Sequence, residues 1–414
     1  MFSKKGAELK KLDEFFTDHT AFLEKRRELY LENQQISRSS LLSKSRNLES
    51  FLTDFDEDIS QKEINILISP EKKEQELSLS NLNLMEEEEE KETSKVHVKK
   101  KKQIDPKFRK KLRQYAKIFA IPEYMFSIPS DLNPDDWYII PRPDGIKCLL
   151  ISRKGATYLI DKNGFIVKVF HCEFPGGKPK NKRGTAMIEC IFDKNMNICY
   201  LLDILFWNGQ SFSECSSEMR FFWLESHVQT LKQDDNSEIQ FKNLPKLPCN
   251  SNGFNSAYQM NFGFTKNGLL FIAKKGPYVS GVNPYFLLWK DSGCSLYLFN
   301  NNMSETFPAF LKLTKAGQLI TLDGITLGQM KQEEIEKMKI KRGDLVKVDI
   351  DESDLGDFKF IENGNIFLLK NLKVEGKSAG GKALADSFSK ILFIYHIKNK
   401  PLMMTQLDDY LKRF

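Results

Sequence analysis

From residue 137 onward the apolar residues fall into short runs, several of them alternating with polar ones: WYII, IKCLLI, TYLI, FIVKVF, AMIECIF, CYLLDILFW, MRFFWL, GLLFIA and YFLLW. Turn formers punctuate them at Asp144-Gly145, Lys162-Asn163-Gly164 and Asn208-Gly209. Period-two patterning between such turns predicts hairpin-linked strands, and the expected fold class is α+β, β-rich and mainly antiparallel. Further on, DLVKVDI, NIFLLKNL and KILFIYHI read as strands, with one helix candidate over 326–339. They predict a small β-rich C-terminal region, either a second domain or an extension of the sheet. At the other end the pattern is helical. Leu9, Leu12, Phe15 and Phe16, then Phe22, Leu23, Leu29 and Tyr30, recur at helical spacing, and Gly and Pro are absent from residue 7 to residue 69.

Between these regions, residues 56–105 carry no aromatic residue and hold the blocks Glu86–Glu90 and Lys99–Lys102. Such charge blocks read as a disordered tether. All four tryptophans lie between Trp137 and Trp289, which marks the folded heart. The expected division is therefore a helical segment 1–55, a linker 56–105, a folded domain 106–300 and a C-terminal extension 301–414. The seven cysteines are scattered with no CxxC, which reads as reduced thiols. No run approaches a membrane span, and the first residues lack the apolar core of a signal peptide. The formal charge of +6 allows a nucleic-acid partner without requiring one.

Three stretches invite a nucleotide. Pro141-Arg142-Pro143-Asp144-Gly145-Ile146-Lys147 places two cations about a turn, which is also what a plain hairpin would show. The loop PGGKPKNKRG, residues 175–184, sets Lys178, Lys180, Lys182 and Arg183 on a flexible frame that suits phosphate or merely solvent. Leu288-Trp289-Lys290 ends an apolar strand, where a tryptophan serves as core or as a base platform. The five histidines are far apart, and there is no HExxH, P-loop or GxSxG. No catalytic set, metal site or cofactor is expected.

Two resemblances bear on these stretches. The distant one is to the covalent nucleotidyltransferases, the mRNA capping guanylyltransferases and nucleic-acid ligases. Arg142–Lys147 resembles their Lys-x-Asp-Gly-x-Arg motif, YLLDILFWNG (200–209) their middle strand, NGLLFIAK (267–274) a later Gly-hydrophobic-Lys motif, and FLLWK (286–290) their late Trp-Lys strand. Arg142 stands where the nucleophilic lysine would be, and a guanidinium stays protonated at neutral pH. Glu189-Cys190-Ile191 stands for an Asp-Gly-Glu and loses the second acid. The resemblance thus implies a nucleotidyltransferase-like fold kept for binding. A divergent guanylyltransferase using a displaced lysine, Lys147 or Lys154, is the alternative.

The close resemblance is to the snurportin family of trimethylguanosine cap-binding import adaptors. It rests on SIPSDL (127–132), Trp137, KNGF (162–165), FPGG (174–177), ECI (189–191), LLDILFWNG (201–209), MRFFWL (219–224), GLLF (268–271) and LLWK (287–290). It implies a non-enzymatic cap site. Trp289 would stack on the methylated guanine and Lys162 would hold cap phosphates. Lys147 would replace an arginine, Ile191 would form an aliphatic wall, and Tyr124 would keep an aromatic face beside Ile121. Pro122 stands for a serine, and Arg142 for a small residue at the pocket edge. The loop cations 178–183 would meet RNA phosphate. The stretch 24–49 resembles the family's importin-β-binding helix, with Arg26, Arg27, Arg38, Lys44 and Arg46 as its charges. The implied partners are the trimethylguanosine-capped small nuclear RNA with its ribonucleoprotein, importin-β, and an exportin for recycling. The implied location is a shuttle between cytoplasm and nucleus, with no membrane partner.

Overall fold

The computed structural model describes residues 114–231, 237–296, 306–356, 368–378 and 382–414. The helical reading of 1–55, the linker, and Arg26, Arg27, Arg38, Lys44 and Arg46 lie outside the described residues. The strands are β1 (Ala120–Tyr124), β2 (Trp137–Pro143), β3 (Ile146–Arg153), β4 (Ala156–Asp161), β5 (Ile166–Phe170), β6 (Thr185–Asp193), β7 (Ile198–Trp207), β8 (Gln210–Ser211) and β9 (Gln240–Asn243). There follow β10 (Leu247–Pro248), β11 (Lys266–Ala273), β12 (Gly281–Trp289), β13 (Thr306–Leu313), β14 (Gln318–Ile320), β15 (Thr326–Gln329), β16 (Leu345–Asp351) and β17 (Lys373–Lys377). The helices are α1 (Ser217–Gln229), α2 (Ser251–Gln259), α3 (Gln332–Lys337), α4 (Glu352–Gly356), α5 (Phe388–Asn399) and α6 (Met404–Leu411). The fold is α+β and rich in strands.

Two sheets face each other. The first runs β1-β12-β11-β2-β10 and the second β5-β4-β3-β6-β7-β8, with β9 parallel to β7. Ile140, Leu270, Ile272 and Leu288 of the first sheet meet Leu149, Ile151, Met187 and Ile191 of the second in one buried layer. The outer face of the second sheet is closed by Leu224 and Val228 of α1. Phe254 and Ala257 of α2, with Leu407 and Leu411 of α6, close the outer face of the first. β7 is therefore buried along its whole length, which is why CYLLDILFW reads as continuous rather than alternating. Its single acid, Asp203, is satisfied by Arg220 of α1 in a two-pronged pair, Nε to Oδ1 at 2.7 Å and Nη2 to Oδ2 at 2.9 Å. Breaking one side of such a buried pair leaves an uncompensated charge and costs about 3–5 kcal/mol.

Three expectations fail here for physical reasons, and two further ones are revised. Asp144-Gly145 does not close a hairpin: β2 and β3 belong to different sheets, so this turn carries the chain across the interior gap. MRFFWL is helical, as part of α1, capped by Ser216 accepting from the Met219 amide. Its apolar pattern is blurred because Met219 and Phe222 point outward while Phe221 and Leu224 are buried. KILFIYHI is also helical, within α5. Residues Ile391 through His396 are all buried, and a helix covered on all sides has no polar stripe from which its period could be read. The helix candidate over 326–339 resolves into β15 followed by the short α3, and residues 368–372 of NIFLLKNL are not in a strand.

The third sheet, β15-β14-β13-β16-β17, is antiparallel throughout. The Leu369 amide donates to the Leu327 carbonyl of β15 at 2.9 Å, so the segment leading into β17 curls the sheet toward a small barrel. Its core takes in Ile391 and Leu392 of α5 and reaches Phe126 and Tyr124 beside β1, which fixes the C-terminal region against the two-sheet body.

Candidate anion-binding cleft

Alternation in the first sheet decides which side chains enter the space between the sheets. Leu269 pairs with Trp289 and with Pro141, whereas Leu288 pairs with Leu270 and with Tyr124. The rows through Trp289 turn outward toward α2 and α6, and those through Leu288 turn toward the second sheet. Arg142 follows Ile140 by one strand period and Lys290 follows Leu288 likewise, so both cations rim the inner face. Lys290 is held by Asn267, whose Nδ2 in turn donates to Asp144 at 2.8 Å.

Lys162 comes from the second sheet. Asp161 accepts the amides of Asn163 (2.9 Å) and Phe165 (2.7 Å), and Gly164 takes φ 80°, which together fold the β4–β5 turn with Lys162 at its tip. The C-terminal segment lies against this turn, the Ala383 amide donating to Asn163 Oδ1 at 3.3 Å. That segment brings Lys382 and Lys390 to either side of Asp386, at 3.7 and 2.7 Å. Five cations from four parts of the chain thus converge: Arg142, Lys162, Lys290, Lys382 and Lys390.

Their electrostatics agree with the geometry. Burial pushes Lys290 down to about 8, with repulsion from Arg142 adding to it. Burial likewise pushes Lys382 down to about 8, against the pull of Asp386 and with repulsion from Lys390 and Lys162. Lys162 is lowered by burial first and then by Lys390 and Arg142, and Arg142 is itself lowered by burial. Burial opposes the charge on Lys390 too, but Asp386 and Tyr124 outweigh it and raise its pKa. For Asp386 burial acts upward, and the two lysines overcome it and hold the carboxyl below its usual range. Lys162 and Lys382 nonetheless reach solvent. Desolvation together with access is the condition of a cleft, not of a convex surface. Cations at close range in a region poor in water repel one another strongly, and a polyanion relieves that repulsion.

The structure separates other expected site residues from this cleft. Trp289 is fully buried, its Nε1 donating to the Leu402 carbonyl at 3.0 Å and its ring meeting Phe254 at 5.5 Å. It presents no face to a base, so the platform assignment does not fit. Lys147 lies between the sheets, paired with Glu189 at 3.1 Å and donating to the Ala120 carbonyl. Glu189 also accepts from the Tyr278 hydroxyl and the Ala120 amide, so Lys147 belongs to a structural knot rather than to the cation cluster. Ile191 is wholly buried in the layer between the sheets. The loop with Lys178, Lys180, Lys182 and Arg183 packs at the Arg153 end of β3, where the Gly155 amide donates to the Gly176 carbonyl. That is six residues along the strand from Lys147, about 20 Å at the strand rise. Lys178 is engaged by Glu173. Tyr124, Ile121 and Pro122 are half-buried on β1, and Tyr124 is near enough to Arg142 and Lys390 to influence both. Sequence reasoning missed Lys382, Asp386 and Lys390. Lys382 and Asp386 lie in irregular chain before α5 and Lys390 in its first turn, so no single periodicity marks the three, and reading the run from Lys390 as a strand hid the helix as well.

Residues 119–290 match the family model of the Snurportin1 m3G cap-binding domain. The snurportin match spans the two facing sheets and brings Arg142, Lys162 and Lys290 with it, while Lys382 and Lys390 lie beyond it. Among solved structures, the ligase domain of LigD from M. tuberculosis is 11% identical, covering 64% of this chain and 96% of that one at a TM-score of 0.30. A mycobacterial DNA ligase D complexed with ATP is 12% identical, with 63% and 94% covered and a TM-score of 0.31. A Lig E DNA ligase is 13% identical, with 63% and 100% covered at 0.29. Superpositions this loose bear on neither mechanism nor ligand. Among the described residues there is no group of three or more His, Cys, Asp or Glu able to hold a metal ion, and no helix is long and apolar enough to cross a membrane.

Proposed function

We propose that this protein binds the trimethylguanosine cap of small nuclear RNA without catalysing a reaction on it. The observation that carries this reading is the convergence of five cations, Arg142, Lys162, Lys290, Lys382 and Lys390, at the rim of a snurportin-type cap-binding domain. The cap's triphosphate bridge is the anion such a cleft suits. The methylated guanine is cationic and gains from an aromatic face. With Trp289 in the core, Tyr124 is the ring placed to supply it, and Arg142 adds a phosphate contact.

Catalysis by nucleotidyl transfer is disfavoured by the same residues. Arg142 cannot serve as an amine nucleophile, Lys147 is committed to Glu189, and Lys154 sits on the β3–β4 turn at the far end of β3. The kinship with nucleotidyltransferases is accordingly one of fold, retained for binding. The adaptor role extends the proposal. Residues 1–55, with Arg26 and Arg27, recruit importin-β, residues 56–105 act as the tether, an exportin recycles the protein, and it shuttles between cytoplasm and nucleus.

The test is binding of the full chain to trimethylguanosine-capped, 7-methylguanosine-capped and uncapped 5′-triphosphate RNA. We expect the trimethylated cap to bind tightest, and Tyr124→Ala to lose about 1–3 kcal/mol of that affinity, the scale of one base–aromatic stack. Equal affinity for capped and uncapped RNA would overturn the reading. So would a covalent label from GTP and magnesium that disappears in Lys147→Ala, which would restore the guanylyltransferase alternative.

A further inference from the structure

The small barrel carries a second cationic feature, distant in character from the cleft. Thr314, Lys315 and Gly317 of the β13–β14 turn, Gln329 and Met330 at the end of β15, and Lys339, Lys341 and Arg342 after α3 line an open groove of about 670 Å³. Its walls are fixed by the backbone. The Met330 amide donates to the Gly317 carbonyl (2.9 Å), the Gly343 amide to the Leu313 carbonyl (2.8 Å) and the Leu313 amide to the Asp344 carbonyl (3.0 Å). Asp344 Oδ2 accepts the Lys341 amide at 2.8 Å, so the turn bearing Lys341 and Arg342 is itself pinned. Gly317, at φ 80°, admits no side chain, since a Cβ there would come within 2.9 Å of the Met330 carbonyl oxygen.

The charge of this groove is unbalanced. Lys315, Lys339, Lys341 and Arg342 are all exposed, and none of their side chains pairs with an acid among the described residues. The acid in the lining, Glu336, is engaged by Gln332. Four cations on rigid turns around one groove have no ion-pair partner among the described residues, and of them only Lys341 adds, against burial and beside Lys377, to the field that holds the Asp344 carboxyl low. Their mutual repulsion is a small cost unless an extended anion lies among them.

The topology gives a second, independent reason. Counting the barrel strands from β13, the first pairs with the second and the fourth, the second with the third and the fourth with the fifth. A helix stands between third and fourth, and the third strand is bonded to the segment entering the fifth. That is the Greek-key order of the oligonucleotide-binding barrel, which uses its second and third strands and the first inter-strand loop for single-stranded nucleic acid. Here that loop, residues 314–317, forms one wall of the cationic groove.

We propose that this groove binds the phosphate backbone of single-stranded RNA outside the cap, a second contact that lengthens recognition past the 5′ end; the placement next to the cap rests on the cap reading above, the RNA contact itself does not. The test uses the full chain carrying Lys339→Ala, Lys341→Ala and Arg342→Ala together, substitutions at exposed positions whose folding is checked by thermal melting. Against a long capped single strand the triple variant should bind about tenfold more weakly, with the slope of log affinity on log salt falling by about 2, as three lost phosphate contacts require. Against the cap dinucleotide its affinity should match wild type within about twofold. Glu336→Ala should tighten the long RNA. Unchanged affinity and slope for the long RNA would overturn the proposal, as would loss of binding to an acidic peptide with RNA binding intact. If the cap reading alone fails, capped and uncapped strands bind equally and the triple variant still weakens both.

Discussion

The two faces of the first sheet differ by one residue in sequence and by a whole environment in space. On the outer face, Trp289 joins Trp137, Ile139, Leu269 and Phe271 in a dry layer sealed by α2 and α6. On the inner face, one position along, Lys290 stands with Arg142 and Tyr124 at the rim of a cleft, its pKa pushed down to about 8. The more conspicuous residue does the packing, and its plain neighbour faces the cleft. Period two enforces this: a strand cannot offer both members of a Trp-Lys pair to one site.

The largest effect should come from exchanging the roles in a mutant pair. Trp289→Ala removes a fully buried indole and its hydrogen bond to the Leu402 carbonyl, and should cost about 3–5 kcal/mol of stability. Whatever fraction stays folded should bind capped RNA with nearly native affinity, because no ligand atom meets that ring. Denaturant unfolding alongside titration separates the two outcomes. A stable Trp289→Ala protein that has lost cap binding would break the comparison and return the tryptophan to the site.

On the inner face the balance reverses. The double variant Arg142→Ala, Lys162→Ala deletes two charged phosphate contacts, each worth about 1.5–3 kcal/mol, and should weaken binding of a cap dinucleotide on the order of a hundredfold or more. Its thermal stability should hold or rise, because two mutually repelling, desolvated cations are gone. Isothermal titration and melting of the same preparations check both directions. A large loss of stability with affinity retained would make these cations structural.

How far the sequence could carry this site follows from the same alternation. The strands of the two-sheet body were legible because their turn residues, such as Asn208-Gly209 and Gly164, sit where the backbone needs positive φ. Lys162 entered only through the family resemblance of KNGF and Arg142 as a departure from the nucleotidyltransferase motif; in the fold Lys162 sits at the tip of the β4–β5 turn. Trp289 was misassigned because a motif fixes neighbours in sequence but not which of them faces inward. Lys147 was misassigned because its partner, Glu189, is on another strand. The C-terminal half of the cleft could not be read at all: Lys382 and Asp386 precede, and Lys390 opens, a helix so thoroughly buried that it mimicked a strand. No local pattern says that this segment returns to the β4–β5 turn, 220 residues earlier.

The smallest effect, and the sharpest for the inner face, is its dependence on pH. Lys290 and Lys382 titrate near 8 in the unliganded protein, because burial penalises their charged forms. A triphosphate bridge stays ionised throughout this range and favours the protonated lysines, so binding takes up protons near pH 8. Affinity should be flat below pH 7 and fall as pH rises through 8, by up to about tenfold for each lysine and about a hundredfold for the pair at pH 9, since each displaced proton costs about 1.4 kcal/mol per unit of pH. Stability of the unliganded protein should move oppositely. Both lysines have folded pKa values below the usual 10.5, so between about 8 and 10.5 the unfolded chain binds more protons and stability rises with pH. Solvent screening reduces the share of Lys382, whose side chain is 41% exposed. Replacing both by arginine, which holds its proton across this range, should flatten the binding profile while leaving binding at pH 7 within a few-fold. Titrations at fixed ionic strength from pH 6.5 to 9.5, with melts of the same samples, test the pair of opposite slopes. Parallel slopes, or a wild-type profile already flat, would remove these two lysines from the ligand's path and leave Arg142, Lys162 and Lys390 as the cleft's working charges.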